Sequence, residues 1–159
     1  MDTPAYCAVA MYSSVPYPAI QMKPEESPKA RASLSILIAD DERDTVTTLS
    51  ALLTHEGHVV HSVYRGDHVV EAVRRYKPDV CILDIDMPGR SGYELAEELS
   101  ARRSRGRPVL VAVSGKYVRK SEQLLAHAVG FDRFFVKPAE PDELIDFLEE
   151  AVSGGSTPR

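Results

Sequence analysis

Carboxylates, a hydroxyl and an ammonium follow the short apolar runs of this sequence at their C-terminal ends. In chain order these residues are Asp40, Asp41, Asp84, Asp86, Ser114 and Lys137. If the first and third runs are neighbouring parallel strands, Asp40, Asp41 and Asp84 converge at one edge of the sheet, where their charges repel. A divalent cation that prefers oxygen ligands, such as Mg²⁺, removes this repulsion and attracts a phosphoryl donor. A carboxylate beside the cation can then attack phosphorus, so the pattern predicts phosphoryl transfer to an aspartate.

Five apolar runs alternate with five amphipathic patterns. The predicted strands are Ile36–Ala39, His58–Val63, Val80–Leu83, Val109–Val113 and Phe134–Val136. Between them apolar residues recur at helical spacing, and the fourth of these stripes consists of Leu124, Leu125 and Ala128. Because crossovers between parallel strands are right-handed, repeated β-α units predict a doubly wound α/β fold with a parallel sheet and helices on both faces. The ligand site of such a fold lies beyond the carboxyl ends of its strands, where the acids stand.

Length and composition agree with one globular domain and exclude several classes of protein. The chain has 159 residues, of which 43% are hydrophobic and 27% charged, and its formal net charge is −5. The negative balance argues against direct binding of nucleic acid or an anionic membrane. No apolar run approaches the roughly 18 residues that a membrane span needs. Cys7 and Cys81 stand far apart in unlike contexts, which predicts no disulfide and a cytoplasmic protein.

The two ends of the chain differ in composition from its middle. Residues 1–33 hold five of the 11 prolines and three of the four methionines, which predicts a flexible Pro-rich arm. Residues 34–153 form the predicted domain. Residues 154–159 contain Gly, Ser and Pro and are predicted to be a disordered tail.

Four motifs carry a resemblance to a known family. They read Ala39-Asp40-Asp41-Glu42, Leu83-Asp84-Ile85-Asp86-Met87-Pro88-Gly89, Ser114-Gly115 and Val136-Lys137-Pro138. In this order they resemble the receiver domain of two-component response regulators, and the resemblance covers about residues 34–153. Gly130-Phe131-Asp132 is similar to the receivers of hybrid histidine kinases. The resemblance implies a flavodoxin-like sheet with the strand order 2-1-3-4-5.

The same resemblance implies a role for each motif residue. Asp84 would be the phosphoacceptor. The residues that would hold Mg²⁺ are Asp40, Asp41, Asp84 and, through its backbone carbonyl, Asp86. The residues that would contact the phosphoryl group are Ser114 and Lys137, and the switch pair would be Ser114 and Phe134. A cis bond between Lys137 and Pro138 is expected on the same ground.

The chain departs from the commonest family pattern near the predicted pocket. Ser114 stands where Thr is commoner, and Phe134 lacks the hydroxyl that a Tyr would offer. Asp86 and Lys116 flank the pocket with opposite charges. If the two side chains pair across its mouth, they would hinder the attacking water and slow the loss of the phosphoryl group. If both are solvated, they would have no effect on this rate, and the sequence leaves both interpretations open.

Two functions from different classes fit the motifs. The first is a non-enzymatic, stand-alone receiver that a sensor histidine kinase or a histidine phosphotransfer protein phosphorylates on Asp84. Its switched surface would consist of the fourth helix, fifth strand and fifth helix, through which a homodimer could also form. The alternative is a haloacid-dehalogenase-type phosphatase, whose Asp-x-Asp nucleophile motif would be Asp84 and Asp86. That class carries the motif on its first strand, so the order of motifs favours the receiver.

Overall fold

In a computed structural model of the chain, residues 33–101, 107–115 and 120–153 are described. The strands are β1 (Ser35–Ala39), β2 (Val59–Val63), β3 (Val80–Asp84), β4 (Val109–Ser114) and β5 (Arg133–Val136). The helices are α1 (Arg43–His55), α2 (Val69–Tyr76), α3 (Gly92–Ala101), α4 (Lys120–Val129) and α5 (Pro141–Ser153). A 3₁₀ turn (Gly66–His68) precedes α2. The predicted arm, except residue 33, the predicted tail and Lys116 lie outside the described residues.

The five strands form one parallel sheet in the order β2-β1-β3-β4-β5. The predicted flavodoxin-like α/β fold, with five helices and this strand order, is therefore confirmed. The register places Ala39 opposite Leu83, so the residues that follow β1 and the last residue of β3 reach the same edge of the sheet. Observed strand ends differ from the predicted ones by at most one residue; His58, for example, precedes β2 instead of opening it.

Helices cover both faces of the sheet, and the alternation of side chains along each strand separates two hydrophobic layers. On β1, Ile36 and Ile38 face one layer, to which α1 contributes Val46 and Leu53 and α5 contributes Leu144 and Leu148. Leu37 and Ala39 face the other layer, which also contains buried residues of α2, α3 and α4. Because both faces are covered, the central strands are apolar throughout, as their sequence predicts.

The apolar stripe predicted for α4 is wrong. Leu124 is 70% exposed and Leu125 48% exposed, and Ala128 is also exposed. Ala126, which lies between them in the sequence, is 1% exposed and packs in the layer that contains Ala96 of α3. A pair of small side chains lets two helices approach closely, so α4 turns its alanine and not its leucines toward the core.

Among the described helices, none combines the length and hydropathy that crossing a lipid bilayer would require.

Candidate functional site

Three carboxylates meet where β1 and β3 end. Asp84 is the last residue of β3, and Asp40 and Asp41 directly follow β1. One carboxylate oxygen from each of the three lies within 4.8 Å of the others. Asp40 and Asp84 are buried and Asp41 is exposed, so the cluster opens to solvent on one side. The convergence predicted from the strand order is therefore present.

Lys137 reaches this cluster from the end of β5. Its Nζ lies 2.6 Å from Oδ2 of Asp40 and 3.2 Å from Oδ2 of Asp84. Its backbone N–H donates a hydrogen bond of 2.8 Å to the carbonyl of Ser114, which fixes the start of the loop after β5 against the end of β4. The bond from Lys137 to Pro138 is cis, as expected from the resemblance. The ammonium thus bridges two buried carboxylates that would otherwise repel each other.

Burial and the neighbouring charges shift the pKa values of Asp84 and Lys137. Burial raises the pKa of Asp84 above its usual value, and the Lys137 ammonium offsets part of this effect. The neighbouring Asp40 charge adds to the rise. Burial by itself would lower the pKa of Lys137, but the hydrogen bond to Asp40 and the two carboxylate charges outweigh it, so this pKa is raised. Lysine therefore stays charged in the site at neutral pH and acts as its counter-ion.

The backbone around the two buried acids is held by short local bonds. The N–H of Glu42 donates to Oδ1 of Asp40 over 2.9 Å, and the N–H of Asp86 reaches Oδ1 of Asp84 over 3.4 Å. At the far end of the β3–α3 loop, which we define as residues 85–91, the N–H of Gly92 donates to the carbonyl of Ile85 over 2.9 Å. These bonds fix each carboxylate relative to the chain that follows it.

Two features of this loop and of the start of α3 were not predicted from the sequence. Ser91 and Glu94 form a capping box at the start of α3: the Ser91 N–H donates to a Glu94 carboxylate oxygen over 2.8 Å, and the Glu94 N–H donates to the Ser91 hydroxyl over 3.3 Å. Hydrogen bonds from Ser91 also lower the pKa of Glu94. Arg90 pairs with Glu98 at 2.7 Å. A Ser-x-x-Glu spacing before an apolar run was the available signal for the capping box.

The two predicted switch residues lie on adjacent strands. Ser114 ends β4 and is buried, and it stands opposite Val136 in the register of β4 and β5. Phe134 stands opposite Ala112 and is partly buried against the core layer that also contains α4 residues. Serine, aromatic ring and α4 are therefore adjacent in the fold.

The donor set fits a hard divalent cation. Carboxylate oxygens at this spacing are the ligands that Mg²⁺ accepts from proteins, with waters completing its shell. Asp41 is exposed, so the cluster is accessible to solvent on its side. The acidic cluster is thus compatible with a metal site. Lys116 lies outside the described residues, so both interpretations, pairing with Asp86 and solvation of both side chains, stay open.

Sequence comparison with known proteins gives one consistent family. A model of the response regulator receiver domain matches residues 36–149. The transcriptional regulatory protein DesR of Bacillus subtilis is 31% identical over 76% of this chain and 59% of its own length. The uncharacterized transcriptional regulatory protein YvfU of the same organism is 30% identical over 76% of this chain and 60% of its own length. The chain therefore spans little more than half of these curated relatives.

Solved structures agree with the fold. The N-terminal domain of the uncharacterized protein WS1339 from Wolinella succinogenes is 28% identical, with a TM-score of 0.69 over 77% of this chain and 97% of that domain. The BeF3-activated receiver domain of RstA from Klebsiella pneumoniae is 24% identical, with a TM-score of 0.68 over 74% of this chain and 97% of that domain. These matches confirm the resemblance seen in the motifs, and they give no support to the haloacid-dehalogenase alternative.

Proposed function

The chain belongs to the receiver-domain family of two-component response regulators, and on this premise we propose that Asp84 is its phosphoacceptor and that Mg²⁺ is required for the transfer. The observation that carries the proposal is the position of Asp84, which is buried at the end of the central strand with two acids within 4.8 Å. Its Oδ2 also lies 3.2 Å from the Lys137 ammonium. An isolated aspartate at a strand end would need neither the acids nor the lysine.

The transfer exchanges one bond to phosphorus for another. An Asp84 carboxylate oxygen attacks the phosphorus of a phosphohistidine, and the imidazole nitrogen leaves with the electron pair of the broken P–N bond. Asp40, Asp41, Asp84 and the backbone carbonyl of Asp86 would hold Mg²⁺, which supplies neutralising charge to the phosphoryl oxygens. Lys137 gives up its contact with Asp84 and donates to a phosphoryl oxygen instead.

Lys137 and Ser114 each supply part of the energy of the switch. Moving a two-state equilibrium from 1:99 to 99:1 takes about 5.5 kcal/mol. A hydrogen bond to a charged group contributes about 1.5–3 kcal/mol. Neither residue alone reaches the total, and Lys137 exchanges one charged partner for another, so the net gain is smaller than that of two new bonds and binding of a partner completes the change.

The surface that responds is the one around β5. Ser114 moves toward the phosphoryl group, and Phe134 turns into the space that Ser114 leaves. Because Phe134 packs against the hydrophobic layer that contains Ala126 of α4, this helix then shifts. The α4, β5 and α5 surface would then bind a downstream partner or a second copy of the chain. A sensor histidine kinase or a histidine phosphotransfer protein would supply the phosphoryl group. A cytoplasmic location and the absence of direct nucleic-acid binding stay predictions for this chain.

Phosphorylation of the full chain by acetyl phosphate tests the proposal. In Mg²⁺ the wild-type chain should take up one acid-labile phosphoryl group, because an acyl phosphate replaces the kinase as donor. Asp84→Asn should take up none. Asp44→Asn removes an exposed acid from the first turn of α1 and should behave as wild type.

Two results would contradict the proposal. Incorporation that survives in Asp84→Asn would place the acceptor elsewhere. Continuous hydrolysis of a generic phosphomonoester, with no stable phosphoprotein, would indicate a phosphatase.

A further inference from the structure

The 3₁₀ turn before α2 packs directly on the β3–α3 loop. The N–H of Gly66 donates to the carbonyl of Pro88 over 3.2 Å. A Cβ at Gly66 would overlap the backbone oxygen of Arg90 and would lie 2.7 Å from its carbonyl carbon. Gly66 is buried, and the obstacle is backbone, which no change of rotamer removes. Glycine at this position therefore sets how closely the loop approaches the turn.

Asp67, the residue after Gly66, contacts the same loop at Gly89. Its carboxylate occupies the space that a Cβ on Gly89 would need, with Cγ 2.5 Å from that position. Arg65 forms an ion pair with this carboxylate, since its Nη2 lies 3.0 Å from Oδ2 of Asp67. Gly89 has a φ of +90°, a left-handed conformation that suits glycine. The turn thus contacts the loop at three successive residues, 88 to 90.

Both ends of the loop are already fixed by other elements. At its start, Asp84 lies in the sheet and the Ile85 N–H donates to the carbonyl of Val113 over 3.3 Å. At its end, the capping box and the bond from Gly92 to Ile85 hold the first turn of α3. The 3₁₀ turn supplies the remaining contact, against the middle of the loop. Asp86, whose carbonyl would be a metal ligand, lies between the attachment at Ile85 and the contacts of the 3₁₀ turn with residues 88 to 90.

We propose that Gly66 and Asp67 are positioning residues for the metal site, because they set the path of the β3–α3 loop and with it the place of the Asp86 carbonyl. This inference rests on the proposed function. Mg²⁺ accepts little departure from octahedral geometry, with ligands at about 2.0–2.1 Å. A displacement of the loop by part of an ångström therefore removes a ligand without disturbing the three carboxylates, which lie on β1 and β3.

The magnitude follows from how metal sites respond to the groups that orient their ligands. Loss of such an orienting contact typically lowers metal affinity by about 10–100-fold. Gly66→Ala forces a backbone shift, so we expect a loss of Mg²⁺ affinity of at least about tenfold. Asp67→Ala only removes support from Gly89, so we expect a smaller loss in the same direction.

The experiment measures the Mg²⁺ dissociation constant of the full chain by calorimetry, and its unfolding free energy by urea titration, for each variant. Gly57→Ala is the matched control, since Gly57 has a φ of +92° and a Cβ there would meet nothing within 4 Å. The control should lose stability from backbone strain and keep the wild-type Mg²⁺ affinity. Gly66→Ala should lose Mg²⁺ affinity that the control does not lose for a comparable loss of unfolding free energy. Its labelling by acetyl phosphate should recover when Mg²⁺ is saturating.

Each outcome bears on one claim. If the wild-type chain binds no Mg²⁺, the metal site of the proposed function is wrong. If the wild-type chain binds Mg²⁺ and both Gly66→Ala and Asp67→Ala match the control in affinity, the positioning role is wrong. If Gly66→Ala does not fold, Asp67→Ala decides alone, because Arg65 and Asp67 are each about half exposed and the fold does not depend on burying them.

Discussion

Replacing Lys137 with methionine tests the charge balance of the site. Methionine retains most of the length of the lysine stem and removes the ammonium that lies 2.6 Å from Asp40 and 3.2 Å from Asp84. Removing one partner of a fully buried ion pair costs about 3–5 kcal/mol, because the remaining charge is left unpaired. The Lys137 side chain is 18% exposed and Asp41 opens the cluster to water. In the absence of metal we therefore expect a loss of about 2–3 kcal/mol in unfolding free energy.

Mg²⁺ should reverse most of this loss, since a cation held by the same carboxylates replaces the missing charge. The substitution should also tighten Mg²⁺ binding. Two unit charges 4 Å apart in a water-like medium repel by about 1 kcal/mol, and Mg²⁺ carries twice that charge. Removing the ammonium is therefore worth about 1–2 kcal/mol, or roughly tenfold in the dissociation constant.

Urea unfolding followed by circular dichroism, in a chelator and in excess Mg²⁺, measures both effects. Lys77→Met is the control, because Lys77 is exposed at the C-terminal end of α2. An equal loss of stability with and without Mg²⁺ would refute the charge argument, because the loss would then come from altered packing of the side-chain stem and not from the missing ammonium. An unchanged Mg²⁺ affinity would show that the ammonium does not face the bound cation.

Three further predictions concern the rest of the domain. Burial raises the pKa of the Cys81 thiol to about 12, so the folded state resists its ionisation and stability should fall as the pH rises above about 9. Cys81→Ala should make that fall shallower by about 1 kcal/mol at pH 10, measured by urea unfolding at each pH. Ser91→Ala removes the hydroxyl that caps Glu94 and should cost about 1 kcal/mol in the same measurement. On α4, Leu124→Ser should change stability by less than about 0.5 kcal/mol, whereas Ala126→Ser should cost about 1–3 kcal/mol from a buried hydroxyl. Equal costs for the two α4 variants would contradict the observed orientation of the helix.

The elements that the sequence predicted best are the central strands. β1, β3 and β4 are buried on both faces, so each must be a short apolar run, and such a run is visible without knowledge of its neighbours. Their polar ends are equally visible, but the convergence of Asp40 and Asp84 also required β1 and β3 to be neighbours, which the family resemblance implied and the register confirms.

Features that depend on close approach between distant segments could not be predicted. The 3₁₀ turn at Gly66 shows no periodic pattern of apolar residues. Its glycine packs against the backbone of Arg90, which lies on another loop. The α4 stripe failed for a related reason. A hydropathy pattern assigns the largest apolar side chains to the core, but in α4 the buried residue is Ala126, which belongs to the same layer as Ala96 of α3.

The sequence placed Lys137 at the same edge of the sheet as the acids, but it did not predict which atoms the ammonium contacts before phosphorylation. The contact of Lys137 with a phosphoryl oxygen stays a prediction, and in this structure the ammonium bridges Asp40 and Asp84. If Asp84 is the phosphoacceptor, as proposed, Lys137 does not have to be recruited when phosphorylation occurs, because it would exchange an oxygen of Asp84 for one of the new phosphoryl group. Only the contact made by Ser114 must then be created by movement. The proposed function would then place the conformational change at β4 and on the side of the sheet on which Phe134 packs.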